Sequence, residues 1–288
     1  MPVHTLDTSA LSELAKPGSA VVRHRLIAEA DAGRVVVLVT WPLMWEVVGA
    51  RSVDDAHYRA MVEVLLRVSG GRVMINERSR RERELQARRA LTLAGFVDDK
   101  SCFTPAFEPE AVDRAAAKTA GLARGLRFAE AEQAADTVEG LNESVRLQAM
   151  TRGEHVDEVG AAWHRALALA NRREKYALEL AESYARDRMV TDATAVGLDV
   201  TNQSPRDLPT FWSSALIHVA RIRAVIIGGT SPVGKSSAGQ VDLLHLEEAA
   251  SYADVFVTCD RALRHFAATV RGMRCEVLSF EEWAALLT

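Results

Sequence analysis

The sequence predicts an α/β protein whose parallel central sheet is interrupted by an all-helical insertion. Strand-like and helix-like segments alternate at both ends of the chain, which favours this fold class. Between them, residues 109–188 are rich in alanine and nearly free of β-branched clusters, a composition typical of helices. We therefore predict a split α/β domain, residues 1–100 and 205–288, and a helical insertion at residues 105–200.

The composition of the 288-residue chain excludes several classes of protein. Hydrophobic residues make up 48% and charged residues 26%, a balance typical of globular rather than disordered proteins. No apolar run approaches the roughly 18 residues of a membrane span, and no basic region followed by an apolar stretch marks a signal peptide. We expect a cytoplasmic protein with no membrane partner. Cys102, Cys259 and Cys275 lack the spacing of a zinc site or a disulfide framework, and we expect buried thiols.

The first part of the chain holds three strand patterns. Residues 3–9 predict a short strand that breaks into polar residues, and residues 10–30 predict a helix. Residues 34–40 are continuously apolar and β-branched, as in a strand buried on both faces of a parallel sheet. Pro42 suits the first turn of the next helix. The remaining predicted elements are a helix at 58–68, a weaker strand at 72–76 and a basic helix at 78–93.

The last part of the chain alternates helices and strands again. A loop at residues 198–210 leads into a predicted helix at 211–222. The elements predicted after it are a helix at 241–252, a strand at 254–258, a helix at 261–269, an edge strand at 274–278 and a final helix at 280–287. Both ends of the chain therefore supply strands to one sheet.

Four acidic residues fall at predicted strand ends or helix starts. Asp7 follows the first strand, Glu46 lies in the first turns after the second, and two more acids, Asp242 and Asp260, flank the late strand. Ligands bind outside the carboxyl ends of parallel strands, so we expect these side chains to converge. Convergent carboxylates need a cation to offset their repulsion, and Mg²⁺ or Mn²⁺ suits oxygen-only ligands.

A purely structural role is the alternative for each acid. Asp7, Asp242 and Asp260 each stand where a helix N-cap is expected, and an aspartate there accepts hydrogen bonds from free backbone N–H groups. Glu46 would suit the positive end of a helix dipole. Taken together, and with sharply apolar strands leading into Asp7 and Asp260, the four acids favour a metal site.

Four segments together resemble the PIN-domain nuclease family. They are Leu6-Asp7-Thr8-Ser9, Thr40 to Gly49 with Glu46, Asp242-Leu-Leu-His245, and Ala253 to Leu263 with Asp260. The resemblance covers residues 1–95 and 205–288 and leaves 96–204 without a counterpart. It implies a Rossmann-like α/β/α sandwich and metal-dependent phosphodiester cleavage, usually of RNA.

The resemblance implies a role for each matching residue. Asp7, Glu46, Asp242 and Asp260 match the catalytic, metal-binding quartet, and Thr8, Ser9 and Thr258 match its flanking hydroxyl positions, where we expect contacts with the substrate. The expected activity is that of a Mg²⁺- or Mn²⁺-dependent endoribonuclease, a hydrolase in which one or two metals activate water.

Basic residues near the acids are candidates for contacts with nucleic acid. Arg261 and Arg264 lie on the helix that leaves Asp260, and the basic helix at 78–93 would add phosphate contacts. His245 lies one turn after Asp242 on the same helical face and could therefore approach the acidic site, although a packed or surface role is more usual for such a histidine. RNA is favoured over DNA as partner, and homo-oligomerisation and an inhibitory protein partner stay open.

Two other interpretations compete with a nuclease. Gly229 to Ser236 matches the phosphate-binding P-loop pattern, in which Lys235 would reach terminal phosphates, and residues 224–227 would be the preceding strand. Gly239 falls where the phosphate-binding helix should form, which favours a flexible loop instead of a nucleotide site. Such a loop could still contact a phosphate of the substrate without binding a nucleotide. The third interpretation is a catalytically silent PIN-like module that binds nucleic acid or protein.

Overall fold

A computed structural model describes residues 1–50, 55–98, 174–228 and 237–287. Most of the predicted insertion, residues 105–173, lies outside these described residues, as do Cys102 and the P-loop-like segment Gly229 to Ser236. In the described ranges, no helix is both long and apolar enough to cross a membrane.

The described part of the chain is an α/β structure. Its strands are β1 (Val3–Leu6), β2 (Val36–Leu38), β3 (Val73–Met74), β4 (Val97–Asp98), β5 (Val255–Val257) and β6 (Glu276–Leu278). Its helices are α1 (Thr8–Ala15), α2 (Ala20–Asp31), α3 (Trp41–Ala50), α4 (Asp55–Ser69), α5 (Glu77–Ala87), α6 (Leu93–Phe96), α7 (Glu174–Ala195), α8 (Pro209–Gly228), α9 (Ser237–Tyr252), α10 (Arg261–Ala267) and α11 (Phe280–Leu286).

The main sheet has four parallel strands in the order β2-β1-β5-β6. In the central strand, His4 stands opposite Val37 of β2 and Val255 of β5. The N-terminal strand is thus the partner of a strand from the other end of the chain, as predicted. The edge strand β6 pairs in parallel with β5, which confirms the strand expected near residues 274–278.

Alternate side chains of the strands enter two separate apolar clusters. Val36 and Leu38 pack in a cluster with residues of α7, α8, α9 and α10. Val37 and Val39 pack in a second cluster with residues of α1, α2, α3, α4 and α11. Helices therefore cover the sheet on both faces, which explains why the β2 segment is apolar at every position. Each valine buried in this way stabilises the fold by about 1.5 kcal/mol or more.

The predicted third strand is not a full member of the main sheet. Val73 and Met74 pair antiparallel with β4 in a separate two-stranded sheet. A single bridge links them to the main sheet, where Val39 N donates to Arg72 O at 3.1 Å and Met74 N donates to Val39 O at 2.9 Å. The strand is short because Asn76 follows it closely and caps α5 through a bond from Ser79 N.

Several predicted boundaries were wrong. The single helix expected at residues 10–30 is two helices, because Pro17 starts a short 3₁₀ turn after the extended Lys16. Helix α9 begins at Ser237, so Asp242 lies inside it rather than at its start. Cys259 is exposed, contrary to the expected buried thiol, whereas Cys275 is buried.

Helix α7 is the described end of the predicted insertion. Its buried residues Ala181 and Ala185 belong to the same apolar cluster as residues of α8 and α9. The ring of Tyr184 stacks on His218 of α8 with centroids 4.1 Å apart. Residues 174–200 therefore pack on the α/β structure, and the division into a split domain and an insertion stays a prediction.

Candidate metal and active site

Asp7 lies at the end of β1 and caps α1. Its Oδ1 accepts from Ala10 N at 2.7 Å and from the Ser9 hydroxyl at 2.7 Å, and its Oδ2 accepts from Thr258 Oγ1 at 2.5 Å. The carboxyl group is buried. Burial raises its pKa, and the hydrogen bond from Thr258 is the largest of the opposing effects. This network fixes the Asp7 side chain between the ends of β1 and β5.

Asp260 lies beyond the end of β5 and caps α10. Its Oδ1 accepts from Leu263 N at 2.9 Å, while its own N–H donates to Thr258 Oγ1 at 2.9 Å. The backbone N–H of Cys259 donates to Ser9 Oγ at 2.9 Å. The capping role considered for Asp7 and Asp260 is therefore confirmed. A capping carboxylate can also serve as a metal ligand through its remaining lone pairs.

Glu46 lies on α3 and faces donors from two other helices. The Thr8 hydroxyl of α1 donates to its Oε2, and His245 Nε2 of α9 lies 2.9 Å from the same oxygen. His245 is buried, and its Nδ1 faces Thr40 Oγ1 at 3.5 Å. The sequence favoured a packed or surface histidine at this position. The imidazole is indeed packed, but its partner is one of the four acids.

Asp242 is affected by the other three acids. Its pKa is raised to about 6, first by burial and then by the negative charges of Glu46 and Asp260. His245 opposes this shift, and Asp7 adds to it. Because Asp242 lies inside α9, it is not a helix cap. Three of the predicted acids, Glu46, Asp260 and Asp7, thus disfavour the charged form of the fourth.

The four carboxylates suit a cation by their chemistry, but their side chains are not close enough together to bind one. All four donors are carboxylates, which suit Mg²⁺ or Mn²⁺, and the negative charges of three of them add to the burial that raises the pKa of Asp242. In the described part of the chain, however, no three His, Cys, Asp or Glu side chains stand close enough together to hold a metal ion. The residues fit a hard divalent cation by chemistry, and binding requires their side chains to draw closer.

The predicted hydroxyl positions line the carboxylates. Ser9 and Thr258 donate to Asp7, and Thr8 donates to Glu46. These hydroxyls therefore orient acids in the structure, whereas the sequence suggested contacts with substrate. This role in orientation follows from the side-chain positions and was not predicted.

The two candidate arginines differ in their surroundings. Arg261 is exposed at the first position of α10, next to Asp260. Arg264 is partly buried, and its Nη1 lies 3.7 Å from Glu282 Oε2 of α11. Arg261 is therefore the better placed of the two to meet a phosphate.

The basic helix α5 binds protein groups through several of its arginines. Arg80 is fully buried and its Nη1 donates to Ile75 O, so the expected phosphate contact is wrong for this residue. Arg81 forms ion pairs with Glu77 and Asp192, each at 3.0 Å. Arg83 donates to Gly95 O at 2.8 Å. These arginines tie α5 to its neighbours.

The nucleotide-binding alternative required a strand at residues 224–227. These residues belong to helix α8, which ends at Gly228. A P-loop connects a strand to a helix, and here a helix comes first. The expected strand is therefore wrong, although the loop itself lies outside the described residues.

The likeness to PIN-domain nucleases rests on four acids and their order along the chain. The structural observations relevant to it are the parallel sheet and the electrostatic coupling of Asp242 to Glu46, Asp260 and Asp7. Comparison with known proteins gives no match: no protein-family model fits the chain, and no curated protein or solved structure is significantly similar to it.

Proposed function

We propose that the protein is a Mg²⁺- or Mn²⁺-dependent nuclease with a Rossmann-like, PIN-type α/β/α architecture. The observation that carries the proposal is the arrangement at the strand ends: Thr258 Oγ1 hydrogen-bonds to both Asp7 and Asp260, and these two acids and Glu46 act electrostatically on Asp242. Asp7 and Asp260 follow β1 and β5, neighbours in a parallel sheet. In such sheets the edge at the carboxyl ends of the strands is where ligands bind.

The four carboxylates would hold the cation, each in a different way. A divalent cation bound there would supply an activated water and stabilise charge on the phosphate. Asp7 and Asp260 are held in place by their capping bonds. Glu46 is oriented by Thr8 and His245. The charged form of Asp242, which burial and the neighbouring acids disfavour, would be stabilised when the cation binds.

RNA is the substrate that the likeness to PIN domains favours, and a phosphodiester bond is the group cleaved. Arg261, exposed beside Asp260, would contact a phosphate of the strand. Thr8, Ser9 and Thr258 would act on the substrate indirectly, through the acids that they orient.

A matched pair of purified proteins tests this proposal. The wild type and Asp260→Asn are each incubated with end-labelled single-stranded RNA, or DNA of the same sequence, in Mn²⁺, Mg²⁺ or EDTA. We expect the wild type to cleave RNA with either metal and not in EDTA, and the variant to be inactive. Equal cleavage by the two proteins would identify a contaminating nuclease and overturn the proposal.

A silent nucleic-acid-binding module is the second candidate. It is favoured by the absence, among the described residues, of three potential ligands close enough to hold an ion. In that case RNA would be retained by the protein on a filter in EDTA and recovered uncut after incubation with Mn²⁺. Cleavage that depends on Mn²⁺ and on Asp260 excludes this candidate.

A further inference from the structure

Glu46 and His245 form a polar contact between α3 and α9 at the candidate site. His245 Nε2 lies 2.9 Å from Glu46 Oε2, and the exposed fraction of the side chain is 0% for His245 and 28% for Glu46. The Thr8 hydroxyl donates to the same oxygen. Glu46 therefore meets two donors, one from α1 and one from α9, on one side of its carboxylate.

The partners of His245 define which ring nitrogen carries hydrogen. A carboxylate oxygen only accepts, so Nε2 is the donor to Glu46. On the other side of the ring, Nδ1 faces Thr40 Oγ1 at 3.5 Å, and a hydroxyl can donate to it. The buried ring thus has protein partners at both nitrogens, an arrangement typical of a side chain that orients another group.

We infer that His245 is a positioning residue, which directs the Glu46 carboxylate toward the cation through its Nε2–H. This inference rests on the proposed function. A glutamate on a helix surface has three rotatable bonds, and their freedom must be lost when it binds a metal. The bonds from Thr8 and His245 remove that freedom in advance. Asp242, three residues before His245 on α9, brings a carboxylate to the same region.

Two substitutions separate the donated hydrogen bond from simple packing. In His245→Gln, the side-chain amide reaches the position of Nε2 and still donates to Glu46. In His245→Asn, the amide reaches only the position of Nδ1, and the donor is lost. We expect Asn to weaken Mn²⁺ binding by about tenfold or more and Gln to weaken it by no more than about threefold. Calorimetry on the purified full chain, without substrate, measures both.

Thr8→Val serves as a matched variant that leaves the packing of α9 unchanged. It removes the second donor to Glu46 Oε2, so we expect weaker Mn²⁺ binding here too. In the double variant Thr8→Val/His245→Asn, the fold-loss of Mn²⁺ affinity should be smaller than the product of the fold-losses in the two single variants, because both donors act through one carboxylate.

A spectroscopic measurement tests the inference in the unmodified protein. The ¹⁵N chemical shifts of His245, assigned by comparison with the spectrum of His245→Gln, report its tautomer. We expect the Nε2–H form in EDTA and in Mg²⁺. An Nδ1–H tautomer, or loss of the hydrogen on Nε2 when Mg²⁺ binds, would overturn the positioning role even if His245→Asn does not fold.

The outcomes separate this inference from the proposed function. If the wild type does not bind Mn²⁺, the proposed metal site itself is wrong. If the wild type binds and His245→Asn binds equally well, only the role of His245 is overturned. Equal losses in His245→Asn and His245→Gln would point to packing and would also overturn it.

Discussion

Thr258 Oγ1 lies 2.5 Å from Asp7 Oδ2, although the two residues are 251 positions apart in the chain. Thr258 Oγ1 also accepts a hydrogen bond from Asp260 N at 2.9 Å. One threonine thus connects both capping aspartates across the ends of two adjacent parallel strands. The arrangement allows capping and catalysis to be separated by substitution.

Asp7→Asn should remove catalysis and preserve the fold. Asparagine caps a helix about as well as aspartate, so we expect the free energy of unfolding in urea to change by less than about 1 kcal/mol. Cleavage should fall by about 100-fold or more, equivalent to about 3 kcal/mol of transition-state stabilisation. Asp7→Ala, the comparison variant, should lose about 0.5 to 2 kcal/mol of stability as well. Wild-type cleavage by Asp7→Asn would contradict a catalytic role.

Asp242→Asn should stabilise the metal-free protein at neutral pH. The pKa of Asp242 is raised from 3.8 to about 6, so the folded state holds this proton more tightly than the unfolded state does. Through this group, stability is therefore highest below pH 3.8 and falls as the pH rises to about 6. The substitution removes this penalty, which is on the order of 1 to 3 kcal/mol at pH 7.

Urea unfolding in EDTA across this pH range measures the effect of Asp242→Asn. Its advantage over the wild type should vanish near pH 4 and reverse when Mn²⁺ is added, since the wild type then gains a ligand. Asp31→Asn is a suitable control, because Asp31 forms an exposed ion pair with Arg67. A pH-independent difference between Asp242→Asn and the wild type would refute the electrostatic coupling.

Glu84→Ala should be among the most destabilising single substitutions. The buried Glu84 carboxylate accepts from Thr210 N at 3.0 Å, from Thr210 Oγ1 at 2.7 Å and from the Tyr252 hydroxyl at 2.6 Å. Alanine leaves these donors without that acceptor, and we expect a loss of about 3 kcal/mol or more in urea unfolding. Glu82→Ala, which breaks only the exposed pair with Arg78, should lose less than about 1 kcal/mol. Similar losses in both would show that the network contributes little.

Lys235→Ala should leave cleavage within a few-fold of the wild type. The residues before the P-loop-like segment are helical rather than a strand, which removes part of the context that a nucleotide site needs. Calorimetry should accordingly detect no ATP binding. Micromolar affinity for ATP that disappears in Lys235→Ala would instead assign the protein to the P-loop class.

Removal of residues 105–200 should destabilise the protein more than replacement of residues 105–173 alone by a Gly/Ser linker. The longer deletion takes away α7, whose residues Ala181 and Ala185 are buried in the apolar cluster that also contains Val36 and Leu38 of β2. Circular dichroism and thermal unfolding compare the two variants. A stable fold after the longer deletion would show that α7 is dispensable.

The strands of the main sheet were predictable because their apolar residues leave few alternatives, whereas β4 was not predicted. Residues 34–40 have the pattern of a strand covered on both faces, and Val35 to Val39 are indeed buried. Local sequence patterns were less informative about where helices begin and end. Pro17 divides the first predicted helix, and α9 starts at Ser237, four residues earlier than predicted. The contact of His245 with Glu46 was not predictable, because it depends on how α3 and α9 pack.

The central position of β1 has a consequence for the order of folding. Its pairing with β5 closes a loop of about 250 residues, which for a flexible chain carries an entropic penalty of about 5 kcal/mol. Pairs so distant in sequence form late and slow the overall rate. During synthesis, Asp7 can meet Thr258 only after β5 and the residues up to Thr258 have left the ribosome. Nascent chains that stop before β5 therefore lack an assembled acidic site, and the proposed nuclease would stay inactive until that strand has emerged.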